Sequence, residues 1–384
     1  MPMKILMSLT SLILPIKGRV WWLTPLIWLI LVAPSYASVI LRVAIERDVQ
    51  QVRVGASTEA IVKDASGKTL GQLPAMNAYY AQPVTGGGVA LDRWRSGLFW
   101  IEPTGKGYVY IGDRWYRGRV LVVPTDKGVT AVNWVDIEEY LYSVIGGEMD
   151  ARWPQEALKA QAIAARTYAL YKRQEQRNHP LFDLGNTPDR WQIYKGVISE
   201  SPATYDAVDK TAGKVLTFNN QIILSVFHAC SGGHTENVED VWGNPLPYLR
   251  AVPDFDQNIP QCQWQRNISA VEISQIFPEV GAVKQLVPEE LSPFGSIKQL
   301  RIVGDKGTKT LKGEEVRTAL KLRSTRFTIS DTGNGNFLLQ GRGFGHGLGM
   351  SQWGAYNLAL QRANHLQILA YYYKGVALSP IRAR

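Results

Sequence analysis

One carboxylate in this chain stands where a proton could be moved. From Asp136 to Tyr171 the pattern predicts helix, break, helix, and Glu148 falls in the break. A carboxylate at such a junction is partly immobilised and partly shielded. Both conditions raise its pKa towards the working pH of a general acid. The same position also suits a plain cap of the second helix, and residue pattern alone leaves both roles open. On that helix Lys159, Ile163 and Arg166 share one stripe. Two cations can therefore turn to the side of Glu148, or form an ordinary solvated face. Asp150 is a second carboxylate close by, and Asp is a preferred helix cap.

A second constellation is the run Gly341-Arg-Gly-Phe-Gly-His-Gly-Leu-Gly349. Alternating glycines leave one backbone edge bare, which permits close approach by a ligand or another strand. His346 sits mid-run with few packing neighbours, so it is either structural or lines a groove. The run lacks the lysine and the strand–helix context of a phosphate loop.

The elements that must position these residues follow from local signals. Asp136 is an N-cap, with Glu139 as the return half of a capping box. Gly146-Gly147 is expected to stop the first helix, and Pro154 to open the second. Leu158, Ala162, Ala165 and Ala169 make a small-residue stripe for close packing. Before the helices, short apolar runs punctuated by glycines read as strands. Trp94, Trp100, Trp115, Tyr108, Tyr110 and Tyr116 in this stretch either fill a core or bind sugar faces. After the helices, Asn219-Asn220 predicts a tight hairpin turn. The fold class is therefore α+β. A mainly β region over 38–133, barrel-like or meandering, precedes a mixed helix/strand domain over 134–384. Residues of about 267–330 read as an insertion, with a helix capped by Ser269 and a strand from Ile297.

Composition narrows the partners. The 384 residues carry a net charge of +9 and are 45% hydrophobic, enough for a sizeable core. Lys and Arg are scattered, with no run of five, which argues against a nucleic-acid tail and for an anionic envelope surface. Residues 1–37 read as a signal peptide, with the apolar run Val20–Val32 and cleavage after Ser35-Tyr36-Ala37. Retained, Ile5–Ile16 could serve as an anchor instead. Either way the body is expected to be exported, to the periplasm or cell envelope. Cys230 and Cys262 fit an oxidising compartment. A disulfide, free thiols, or a zinc site with His228 and His234 all remain open.

Three ordered segments resemble the sporulation protein D/amidase-enhancer (SpoIID/LytB) family. They are Glu148-Met149 with Trp153-Pro154 and Glu156–Ala169, then Phe227–Trp242, then Gly341–Ala359. Asp150 stands where that family has proline, which alters the loop after the carboxylate. The resemblance implies a glycan-binding groove in residues 134–384 and a peptidoglycan lytic transglycosylase acting on glycan stripped of its peptides. It implies Glu148 as the single acid and base, and Lys159 and Arg166 as glycan contacts. Ile193-Tyr194-Lys195-Gly196 matches the family's tyrosine motif, which adds Tyr194 to the site. Some members bind zinc near the cysteines, but the reaction itself requires no metal or organic cofactor. The resemblance also implies an alternative: a non-catalytic wall-binding enhancer of an N-acetylmuramoyl-L-alanine amidase.

Overall fold

A computed structural model of the chain describes residues 38–187 and 190–381. The signal peptide expected over 1–37 lies outside the described residues. The protein is α+β. Its early strands form two sheets instead of one curled sheet, because two layers cover each other's apolar faces. In spatial order the larger sheet holds Leu184–Gly185, Ile40–Val49, Gly128–Asp136, Arg119–Thr125, Phe99–Pro103, Ala60–Lys63 and Thr69–Leu73. The other holds Arg114–Tyr116, Val109–Ile111, Val52–Ala56, Ala78–Pro83, Val89–Leu91 and Trp94–Ser96. Of the six aromatics noted there, Tyr116 is buried and the other five are half-buried. The strand Gly128–Asp136 runs past residue 133 and ends on the cap of the first helix. One core continues from Val122 and Phe99 of the sheets into Leu141, Ile145 and Ala162 of the helices.

Asp136 caps the helix Ile137–Glu148 by accepting from the Glu138 N–H at 2.8 Å. The helix does not stop at Gly146-Gly147. A Cβ on Gly146 would lie 1.8 Å from the Ser199 carbonyl oxygen, and one on Gly147 2.8 Å from that of Ile193. The glycines therefore admit the 193–199 segment against the helix, and no left-handed cap is involved. The second helix is Gln155–Glu175 with Pro154 as its N-cap residue. Its stripe of Leu158, Ala162, Ala165 and Ala169 is fully buried. The hairpin turn has Asn219 and Asn220 at φ 50° and 61°, the left-handed pair a two-residue turn needs.

A second core, from Ile268 to Leu339, fills the expected insertion and reaches beyond residue 330. Its strand Gln263–Ser269 pairs with Asn336–Arg342, and Ser269 caps the helix Ala270–Ile276. Cys230 and Cys262 form a disulfide, with Cα atoms 5.7 Å apart. It ties the Phe227–Trp242 segment to the entry of that strand. Of the three states left open by the sequence this is the one present. His234 instead stacks on Phe294, ring centroids 3.7 Å apart. Among the described residues no helix is long and apolar enough to cross a membrane.

Candidate active site

Glu148 is the last residue of its helix and is half-buried. Its Oε1 accepts from the Ile193 N–H at 2.8 Å, and its Oε2 from the Gln352 amide at 3.4 Å. Gln352 opens the helix Gln352–Leu360, whose cap Ser351 accepts from the Gly354 N–H. Trp153, just after the Asp150 loop, packs on Trp353 and Tyr356 with centroids 4.6 and 5.0 Å away. That aromatic contact locks the junction loop to the helix bearing Gln352. Burial pushes the Glu148 carboxyl above its usual value; the Ile193 and Gln352 hydrogen bonds and the Lys195 charge oppose this and are outweighed. The charge that acts on Glu148 is the Lys195 cation. A fixed carboxyl with a raised pKa can give a proton and then take one back.

Asp150 does not cap the second helix, whose N-cap residue is Pro154. Its oxygens accept from the Arg152 backbone N–H and guanidinium, in a turn at the surface. Arg152 holds its pKa down at about 2, so it is a permanent anion. Lys159 pairs with Glu156 at 2.7 Å, and Glu156 in turn accepts from the backbone N–H of His365. Burial raises the Glu156 carboxyl, but Lys159 and His365 prevail and hold it at about 2. Glu156, which Lys159 pairs with on the same helix, is the residue that joins this helix to His365–Tyr372.

The expectation for Arg166 is corrected. It is 0% exposed. Its guanidinium grips Glu138, with Nε 2.9 Å from Oε1, and donates to the carbonyl of Lys214 at 3.2 Å. Its donors are used inside the fold, because its helix is wrapped on nearly every side and the acid that meets it lies on the preceding helix. Tyr194 is corrected likewise: it is buried, and its hydroxyl donates to Asn133 at 2.8 Å. The flanking residues do what was expected of it. Ile193 supplies its N–H and Lys195 its charge to Glu148. Along an extended segment neighbours face opposite ways, so the Tyr motif marked the right segment and the wrong side chain.

The glycine run lies on protein. Gly343, Gly345, Gly347 and Gly349 have φ between 67° and 115°. A Cβ on Gly345 would come 2.6 Å from that of His228. His346 is half-buried, 5.5 Å from the His228 ring and 5.2 Å from Trp242. Its Nδ1 accepts from the Leu348 N–H, which leaves the proton on Nε2. Burial first, then the His228 and Arg317 charges, keep its pKa well below the ordinary value, so the ring is neutral. The run's contribution to Glu148 comes through Gln352, seated in the same segment, which residue type alone did not single out.

The family model described as Stage II sporulation protein matches residues 125–218. A model described as Domain of unknown function (DUF8618) matches 255–349. The Stage II sporulation protein D of Bacillus subtilis is 35% identical over 263 residues, covering 64% of this chain and 75% of that protein. An uncharacterized protein of Brachyspira hyodysenteriae is 34% identical, covering 64% and 67%. The amidase enhancer of Bacillus subtilis is 28% identical, and the match spans only 40% of that longer protein.

Proposed function

Because the chain belongs to the stage II sporulation protein D family, its role is with the cell wall, and we propose that it is a peptidoglycan lytic transglycosylase with Glu148 as its single acid and base. The observation that carries the reading is the state of that carboxyl: shielded, raised in pKa, held by one backbone N–H and one amide, and acted on by a cation. A glycosidase of the usual type needs two carboxyl groups flanking the scissile bond. A lytic enzyme needs one.

Protonated Glu148 gives its proton to the leaving oxygen as the bond from C1 of N-acetylmuramic acid breaks. The resulting carboxylate takes the proton of the 6-hydroxyl on that same sugar. The hydroxyl oxygen closes on C1, and the product is a 1,6-anhydro end with no water added. Atoms balance, and the carboxyl returns to its starting form. Ile193 and Gln352 fix the carboxyl's orientation through both half-reactions. Lys195 stabilises the carboxylate formed between them.

The second reading is a non-catalytic enhancer of an N-acetylmuramoyl-L-alanine amidase, and it draws on the relative of that name. The raised pKa of Glu148 favours catalysis over it. Export to the periplasm or envelope belongs to the same proposal, supported by the leader-like residues 1–37 and by the disulfide; exported protein beginning at Ser38 in N-terminal sequencing would agree with it. The test of function is incubation with peptide-stripped glycan and mass spectrometry of the products. Ends one water lighter than reducing sugar are expected. Reducing ends would make the protein a hydrolase. Intact strands, with a stimulated amidase, would leave the enhancer.

A further inference from the structure

A cleft of about 130 Å³ opens between the segment Glu239–Gly243 and the second core's Glu290, Ser296–Gln299 and Lys312–Glu314. Trp242 stands on it with 45% of its surface exposed, an unusual state for the largest apolar side chain. Its ring packs at a tilt on His346. Two carboxylate oxygens of the lining, Glu239 Oε2 and Glu314 Oε1, are shielded and have no hydrogen-bond partner among the described residues. Their sister oxygens are held by Arg250 and Arg317. Lys298, the cation of this wall, is already shared between Asp240 and Glu290.

Such a cleft has a definite chemistry. An exposed indole offers an apolar face, and the carboxylates of the lining, Glu290 the most exposed in its ion pair, offer acceptors for O–H or N–H donors. Four carboxylates outnumber the two lysines of the lining, which disfavours an anion. A neutral pyranose meets these terms, with C–H groups for the ring and hydroxyl or acetamido donors for the oxygens. We propose that this cleft is a carbohydrate subsite, with Trp242 as the platform for one sugar ring of the glycan strand. The inference rests on the glycan reading above. His346, which supports Trp242, and Gln352, which holds Glu148, are six residues apart, at most about 20 Å of chain. One strand can therefore reach both.

The test is calorimetric titration with peptide-stripped glycan oligosaccharides in a Glu148→Gln background, where nothing is cut. Adding Trp242→Ala is expected to weaken binding roughly tenfold. Trp242→Phe should restore most of it. Glu314→Gln, on the helix Gly313–Ala319, should weaken binding with the fold unchanged. Equal affinity with all three substitutions overturns the subsite and leaves the lyase reading standing. Trp242-dependent binding by a parent protein that never cuts supports the subsite and overturns the lyase. No binding by any form overturns both.

Discussion

Replacing Arg166 by Met should unfold the protein more easily while leaving its glycan affinity alone. The guanidinium is 0% exposed and grips both oxygens of Glu138, as well as the carbonyls of Lys214 and Val208. Methionine keeps much of the volume and removes every donor. Glu138 then retains the Gly213 N–H at 3.0 Å and, being 21% exposed, some water. Breaking a buried pair by deleting one partner costs about 3–5 kcal/mol, and that residual hydration places this site near the lower end, about 3 kcal/mol. A folded body of about 350 residues unfolds with an entropy of roughly 0.7 kcal/mol/K, so Tm should fall by about 4 °C. Adding Glu138→Leu removes the stranded charge and should recover most of the loss. Scanning calorimetry of the three proteins reads this directly. An unchanged Tm together with weakened glycan binding would refute the reasoning, and would put the guanidinium in the groove.

Three further outcomes follow from the geometry around Glu148. The folded state holds that carboxyl above its ordinary 4.5, so it binds more protons than the unfolded chain in that window, and stability falls as pH rises through it. Glu148→Gln should therefore be the more stable protein at neutral pH, with the gain vanishing below about pH 4.5 in a Tm–pH series. Lys195→Met removes a charge that lowers the carboxyl's pKa; the alkaline limb of the rate profile should move to higher pH, by less as salt is added, since Lys195 is exposed. Gly146→Ala drives a Cβ onto the Ser199 carbonyl, which should cost about 1–3 kcal/mol in denaturant titrations and slow turnover by moving the segment that carries the Ile193 N–H.

Local signals carried much of the fold. The caps at Asp136 and Ser269 are each made by the expected side chain, and Asn219-Asn220 turns as its residue types require. Glu148 stood out because a carboxylate between two helices is conspicuous in one dimension. The errors over Arg166 and the paired glycines share a cause: both depended on what arrives from far along the chain. Seven-residue spacing places Lys159 and Arg166 on one stripe, but Glu138, 28 residues upstream, claims Arg166. Glycines in tandem read as a stop until the 193–199 segment is seen lying against them. The partners of Glu148 itself come from 45 and 204 residues away. A backbone N–H has no residue type to notice, and a glutamine has no spacing that marks it.

The most direct measurement sets Glu148→Gln beside the parent protein on peptide-stripped glycan, with binding and product release followed in parallel. Glutamine keeps the shape and the reach but holds no transferable proton, so both half-reactions should fail together. The account predicts a variant that still binds the strands and releases 1,6-anhydro ends at least about 10²-fold more slowly. A variant that cuts as fast as the parent would contradict it and place the chemistry on another residue.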